Sequence, residues 1–158
     1  MKPLLINDKL HVRFPDGFQE MSREERAALK DHSGNHGISL KSTEHHIILS
    51  IGWTRVDGIR GVFSKMLRGK DPVQNAEDCY KKQMRSFGYR TQERLTREIA
   101  GVLAEGLRFC YSAQGIEMTG ETYVFEKDRT LYYFHCYYRT QLSEESLPVL
   151  SSILDSVG

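Results

Sequence analysis

From Tyr89 to Arg139 the apolar residues recur at alternate positions, and three connections, Ala100-Gly101, Gln114-Gly115 and Asp128-Arg129, cut the span into runs at 90–99, 102–113, 116–127 and 130–139. Successive side chains of a strand point to opposite faces, so a period of two marks β structure. Two-residue connections join only antiparallel neighbours. The span therefore predicts an antiparallel meander of long strands. Leu103, Leu107, Phe109 and Tyr111 share one face of its second strand, and Gly120 predicts a bulge in the third.

The last run, RTLYYFHCYYRT, is the most informative. Tyr132, Phe134, Cys136 and Tyr138 fall on one face, and Leu131, Tyr133, His135, Tyr137 and Arg139 on the other. A strand wetted on one side would carry polar residues at alternate positions, so two apolar faces predict a central strand with helices on both sides. His135 and Cys136 point in opposite directions and do not chelate one ion together. A lone histidine among tyrosines reads first as a hydrogen-bonded core residue. The face formed by Tyr133, His135, Tyr137 and Arg139 is also the candidate binding face: rings ending in a cation line a pocket or an interface wherever the helical cover is incomplete.

The rest of the chain supplies that cover. Leu10, Val12 and Phe14 alternate in a short strand that Pro15-Asp16-Gly17 ends. Ser22 and Glu25 form a capping box for the helix SREERAALK, and the glycines of DHSGNHG stop it. Alternation over 38–42 and 47–53 predicts a hairpin, and Ile59 to Arg68 a short amphipathic helix. In DPVQNAEDCYKKQMRSFG, Asp71 caps, Pro72 takes the first helical position, Gln74 completes the box and Gly88 ends the helix, whose stripe is Val73, Ala76, Tyr80, Met84 and Phe87. Ser143 is the expected cap of a closing helix with Leu147, Leu150, Ile153, Leu154 and Val157 on its apolar face, and Pro148 moves its regular start toward Leu147. The fold class that follows is α+β, an α/β/α sandwich whose central antiparallel sheet of about six to seven strands is covered by helices on both faces. At 158 residues the chain is expected to form a single domain over 1–158.

Several functions are disfavoured. With 22 Lys and Arg against 21 Asp and Glu, no overall field draws the chain to nucleic acid or an anionic membrane. The opening MKPLLINDKLHVRF has too short an apolar run for a signal peptide, and no later stretch has the length of a membrane span, so a cytoplasmic protein is expected. Cys79, Cys110 and Cys136 are widely spaced and odd in number, which fits reduced, packed thiols. His32, His36, His45 and His46 gather near one hairpin, but glycine and asparagine between the first two break the helical spacing a metal pair needs. Neither RVDGIRGVF, with only Gly58 and Gly61, nor Gly69-Lys70-Asp71 makes a phosphate loop. Lys81, Lys82, Arg85, Arg90, Arg94 and Arg97, with Glu93 the sole acid among them, read as a solvated basic face before a nucleic-acid surface. No nucleophile elbow is present, and the carboxylates sit on polar faces, so no enzyme activity and no cofactor are expected.

The pieces FPDGF, EIAGVLAEGLRFCYS, YVFEKDRTLYYFHCYY and LPVLSSILDSV, in this order, resemble the PsbP-like superfamily over nearly the whole chain. The resemblance implies the same layered sheet with helices on both faces. It groups the chain with the photosystem II extrinsic subunit, a Ran-binding nuclear import factor and many small bacterial proteins of unknown role, of which this chain resembles a cytosolic one. Members of such a family act through surfaces in variable loops, so no binding residue carries over to a numbered position. The sequence thus points to a cytoplasmic, non-enzymatic domain that binds another protein or assists an assembly. The alternative is a small-ligand binder or enzyme using Tyr133, His135, Tyr137 and Arg139. Partner identity and oligomeric state stay open at this stage.

Overall fold

The computed structural model describes residues 1–28, 37–56 and 71–158. The expected helix at 59–68, the Gly58/Gly61 turn and the His32/His36 pair lie outside them.

Among the described residues nine strands form two sheets. A hairpin of β1 (Lys2–Ile6) and β2 (Leu10–Phe14) stands apart from a seven-stranded sheet built from β3 (Gln19–Glu20), β4 (Gly37–Ser42), β5 (Ile47–Arg55), β6 (Arg90–Ile99), β7 (Val102–Ala113), β8 (Ile116–Lys127) and β9 (Thr130–Arg139). The large sheet runs β3-β4-β5-β9-β8-β7-β6, antiparallel throughout, with β9 in the middle. Among the described residues three helices accompany it: α1 (Arg23–Ala28), α2 (Pro72–Gln83) and α3 (Ser143–Asp155). The fold is α+β, as its sequence predicted, and the four meander strands occupy the expected spans. Left-handed backbone at Ala100-Gly101, Gln114-Gly115 and Asp128-Arg129 makes the three tight turns.

The two faces of β9 belong to two separate apolar clusters. Tyr132, Phe134, Cys136 and Tyr138 join Leu49 and Ile51 of β5, Tyr123 and Phe125 of β8, the β1–β2 hairpin, and Leu150, Ile153 and Leu154 of α3. Leu131, Tyr133 and Tyr137 instead join Leu107 and Phe109 of β7, Val124 of β8, Val73, Ala76 and Tyr80 of α2, and Met84 at the end of that helix. The α2 stripe is therefore the one its spacing predicted, with Asp71 Oδ1 accepting from the Gln74 amide at 2.6 Å and Gly88 in the left-handed conformation beyond it. The reciprocal half of that box is absent: the Gln74 side chain donates to Asp78 and accepts from Arg94. The Ser22/Glu25 box is complete, with both amide bonds at 3.1 Å.

One expectation is extended and three are corrected. The N-terminal strand has a partner, β1, so Leu10, Val12 and Phe14 sit in a hairpin turned by left-handed Asn7 and Asp8. The chain's end closes on this hairpin, where His11 and Gly158 exchange backbone hydrogen bonds of 2.7 and 2.9 Å. Ser143 is not a cap: a 3-10 turn at Thr140–Leu142 leads straight into α3, and Pro148 lies inside it. There its missing amide removes one helical bond, a loss tolerated near the start of a helix packed on the core. Leu103 shares the parity of Leu107 and Phe109 but lies past the end of their cover and is 69% exposed.

The third correction concerns Gly120. Its register is unbroken, opposite Phe109 on β7 and Tyr137 on β9, and the irregularity in the meander falls instead between Thr91 and Glu93 of β6. Glycine is required at 120 because the Phe109 ring fills the side-chain position: a Cβ there would lie 2.2 Å from Phe109 Cζ. Gly120→Ala should overpack this contact and lower stability by about 1–3 kcal/mol, read as a shift in the urea unfolding midpoint.

Candidate functional site

Three places in the molecule concentrate chemically capable groups. The first is the face named from sequence. Tyr133, His135, Tyr137 and Arg139 do line one side of β9, but α2 and β8 engage its centre. The Tyr80 hydroxyl, from α2, lies 2.5 Å from His135 Nδ1, 2.9 Å from Thr122 Oγ1 and 3.4 Å from the Tyr137 hydroxyl. Thr122 also meets His135 Nδ1 at 3.1 Å. His135 and Tyr137 are buried, Tyr133 is half-buried and stacked on His135, and Arg139 is exposed at the strand end. Tyr80 and Thr122 complete this network. The sequence marked Tyr80 only as part of an apolar stripe, because periodicity places a ring without saying where its hydroxyl reaches.

The second place was missed. Glu121, on the opposite face of the sheet, is 2% exposed, contrary to the expectation that carboxylates keep to polar faces. It persists there because each oxygen accepts a tyrosine hydroxyl, Tyr123 at 2.6 Å and Tyr138 at 2.6 Å, with Arg108 Nε 3.7 Å from Oε2. Arg97, Arg108, Glu121, Tyr123, Leu147, Pro148, Leu150 and Ser151 line a cleft of about 350 Å³ between this floor and α3. Both guanidinium groups at its mouth already hold acids, Arg97 with Asp155 at 2.6 Å and Arg108 with Glu93. The Glu121 oxygens are thus taken up by tyrosine hydroxyls, and each guanidinium is held by another acid. The available signal was local and weak: Glu121 shares parity with Tyr123 and Phe125, but also with Glu117, Thr119 and Lys127.

The third place is the sheet's far edge. Strand β6 pairs with β7 alone and carries Arg90, Arg94 and Arg97 of the basic run. Each is opposed: Arg90 by Glu117, Arg94 by Asp71 at 3.8 Å, and Arg97 by Asp155. Lys81 of α2 likewise meets Glu77 at 2.9 Å. The local excess read from sequence is therefore largely neutralised by acids from elsewhere in the chain, which weakens its claim as a phosphate-binding surface. Among the described residues no group of three or more His, Cys, Asp or Glu side chains could hold a metal ion, and no helix is long and apolar enough to cross a membrane. His45 stacks on Phe18, their ring centroids 6.0 Å apart.

The class defined by these elements is an antiparallel α+β sheet domain with two-sided packing of its middle strand. Its fold is PsbP-like. The solution structure of cyanobacterial PsbP (CyanoP) from Synechocystis superposes with a TM-score of 0.64 at 10% identity, over 99% of this chain and 91% of that one. LpqN of Mycobacterium tuberculosis, described as involved in cell envelope biogenesis, gives 0.51 at 14% identity over 99% and 88%. The immunity protein TplEi of T6SS from Pseudomonas aeruginosa gives 0.51 at 11% identity over 89% of this chain and 53% of that one. At these identities the likeness is one of fold. No protein-family model and no curated protein matches the chain.

Two outcomes follow from the networks. Tyr80→Phe removes the hydroxyl shared by His135, Thr122 and Tyr137 and should cost about 1–2 kcal/mol in urea unfolding, with the fold kept. Burial, and the Glu121 carboxylate that accepts from both hydroxyls, push the Tyr123 and Tyr138 phenols far above the ordinary value of about 10. Unfolded phenols release protons that the folded ones keep. Stability is therefore fully present below pH about 10 and falls as pH rises past it. The Tyr123→Phe/Tyr138→Phe chain should show a shallower alkaline decline in urea melts than the parent chain.

Proposed function

We propose that this chain is a non-enzymatic domain that binds another protein, and that the β6 edge is where it does so. The carrying observation is that β6 is a strand of ten residues, mostly exposed, with an unpaired outer edge among the described residues. An open edge presents a row of backbone donors and acceptors that an added strand satisfies. The opposite edge, β3, is only two residues long and offers little of this. Support comes also from how the reactive groups are used. His135 and Glu121 are buried in hydrogen bonds, and burial, with the Glu121 charge beside it, pushes the Cys136 thiol well above its usual range, which suppresses the thiolate. A three-layer arrangement, with α2 and α3 on opposite faces, is consistent with this, since it leaves edges and loops as the open surface. A fold neighbour described as an immunity protein points the same way.

The test uses proline. Alternate residues of a strand direct their amides to opposite sides, so one of Leu95→Pro and Thr96→Pro removes an outward amide and leaves the β7 ladder intact. Affinity capture from the source cell should recover a protein with the parent chain and lose it with whichever of the two variants keeps a native circular dichroism spectrum. Equal recovery with that variant would remove the edge from consideration.

A further inference from the structure

The occupant of this edge can be named from its charges. The irregularity between Thr91 and Glu93 confines regular pairing to the segment Glu93–Ile99, whose middle residue is Thr96. Two copies of one strand can pair antiparallel about a two-fold axis perpendicular to the sheet, which sets the central residue opposite its own copy. With the axis at Thr96, Arg94 lies opposite the partner's Glu98, and Glu98 opposite the partner's Arg94. Thr96 meets the partner's Thr96, a favourable cross-strand pair. Leu95 lies opposite the partner's Arg97, whose stem offers it apolar contact.

This register uses the least tightly held charges of the segment, Arg94 being shared in the monomer between Gln74 at 2.9 Å and a long contact to Asp71. Glu98 is exposed and has no ion pair among the described residues, and the Arg94 side chain is 47% exposed with its nearest acid, Asp71, at 3.8 Å. Moving the axis to Leu95 instead sets Glu93 against the partner's Arg97, and these two are already held by Arg108 and Asp155. It also draws the irregular turn of β6 into the ladder. Leu103 of β7, the most exposed large apolar side chain among those described, lies opposite Glu98 of β6 and so flanks the junction on the same face.

We propose that the β6 edge is a self-association site: two copies join β6 to β6 about Thr96, merging two seven-stranded sheets into one, with reciprocal Arg94–Glu98 pairs fixing the register. The proposal rests on the edge-binding reading and names a second copy of this chain as the partner. It would also explain how a long open edge escapes uncontrolled aggregation, since a closed two-fold pair consumes it.

Sedimentation equilibrium of the full chain tests it. The parent chain should dimerise. Glu98→Arg, an exposed change that spares the core, should raise the dimer dissociation constant at least tenfold by placing like charges opposite each other, since both cross-strand pairs turn from attractive to repulsive. The double variant Arg94→Glu/Glu98→Arg should restore it. A parent chain that stays monomeric at hundreds of micromolar, or a dimer indifferent to Glu98→Arg, overturns the proposal. If a monomeric chain captures a different protein through β6, self-association falls and the protein-binding reading stands.

Discussion

Strand β9 is buried on both faces, and the rest of the molecule is arranged to make that possible. Its side chains alternate between two apolar clusters that share no residue: Phe134 and Cys136 enter one, Tyr137 the other. A strand of this kind is stable only if neighbours satisfy its backbone on both sides and other elements remove both rows of side chains from water. Strands β5 and β8 do the first. The two apolar clusters do the second.

Tyrosine is well suited to such a strand because it combines a large apolar ring with a hydroxyl that must find a partner when buried. The molecule uses both properties. On the α2 face, the Tyr80 hydroxyl meets Thr122, His135 and Tyr137, so a polar core is closed by side chains from three elements. On the α3 face, Tyr123 and Tyr138 hold Glu121, with Arg108 close by. Groups that would be reactive in water are in each case committed to internal bonds. Among the described residues the β6 edge keeps the outer side of its backbone unpaired. The proposed recognition by strand addition would use that edge.

Much of this architecture was legible in the residues. Period-two alternation and three glycine- or aspartate-containing turns gave the meander, because side-chain parity and left-handed turn chemistry are local properties. The two-sided pattern of β9 gave its central place, since only a middle strand has apolar residues on both parities. The α2 stripe was visible for the same reason at helical spacing. Errors fell where a local cue had more than one cause. Gly120 resembled a bulge because glycine in a strand marks either a bulge or a close approach, and only the position of Phe109 selects the second. Ser143 resembled a cap because a capping residue is defined by the conformation before it, and the 3-10 turn there was not written in side-chain type.

Sequence alone determined which side chains share a face, where the chain turns, and that the tyrosine-rich strand is an interior one, because each depends on neighbours within a few residues. Tertiary structure decided which hydroxyl reaches which partner. That Tyr80 of α2 meets His135 of β9, that Glu121 is held by Tyr123 and Tyr138, and that the arginines of β6 are opposed by Asp71, Glu117 and Asp155 all require segments distant along the chain to be brought within hydrogen-bonding or ion-pairing range. The same holds for the open edge: a strand's own residues do not state whether it ends a sheet, because edge position is the absence of a neighbour, and only the assembled order of strands reveals it.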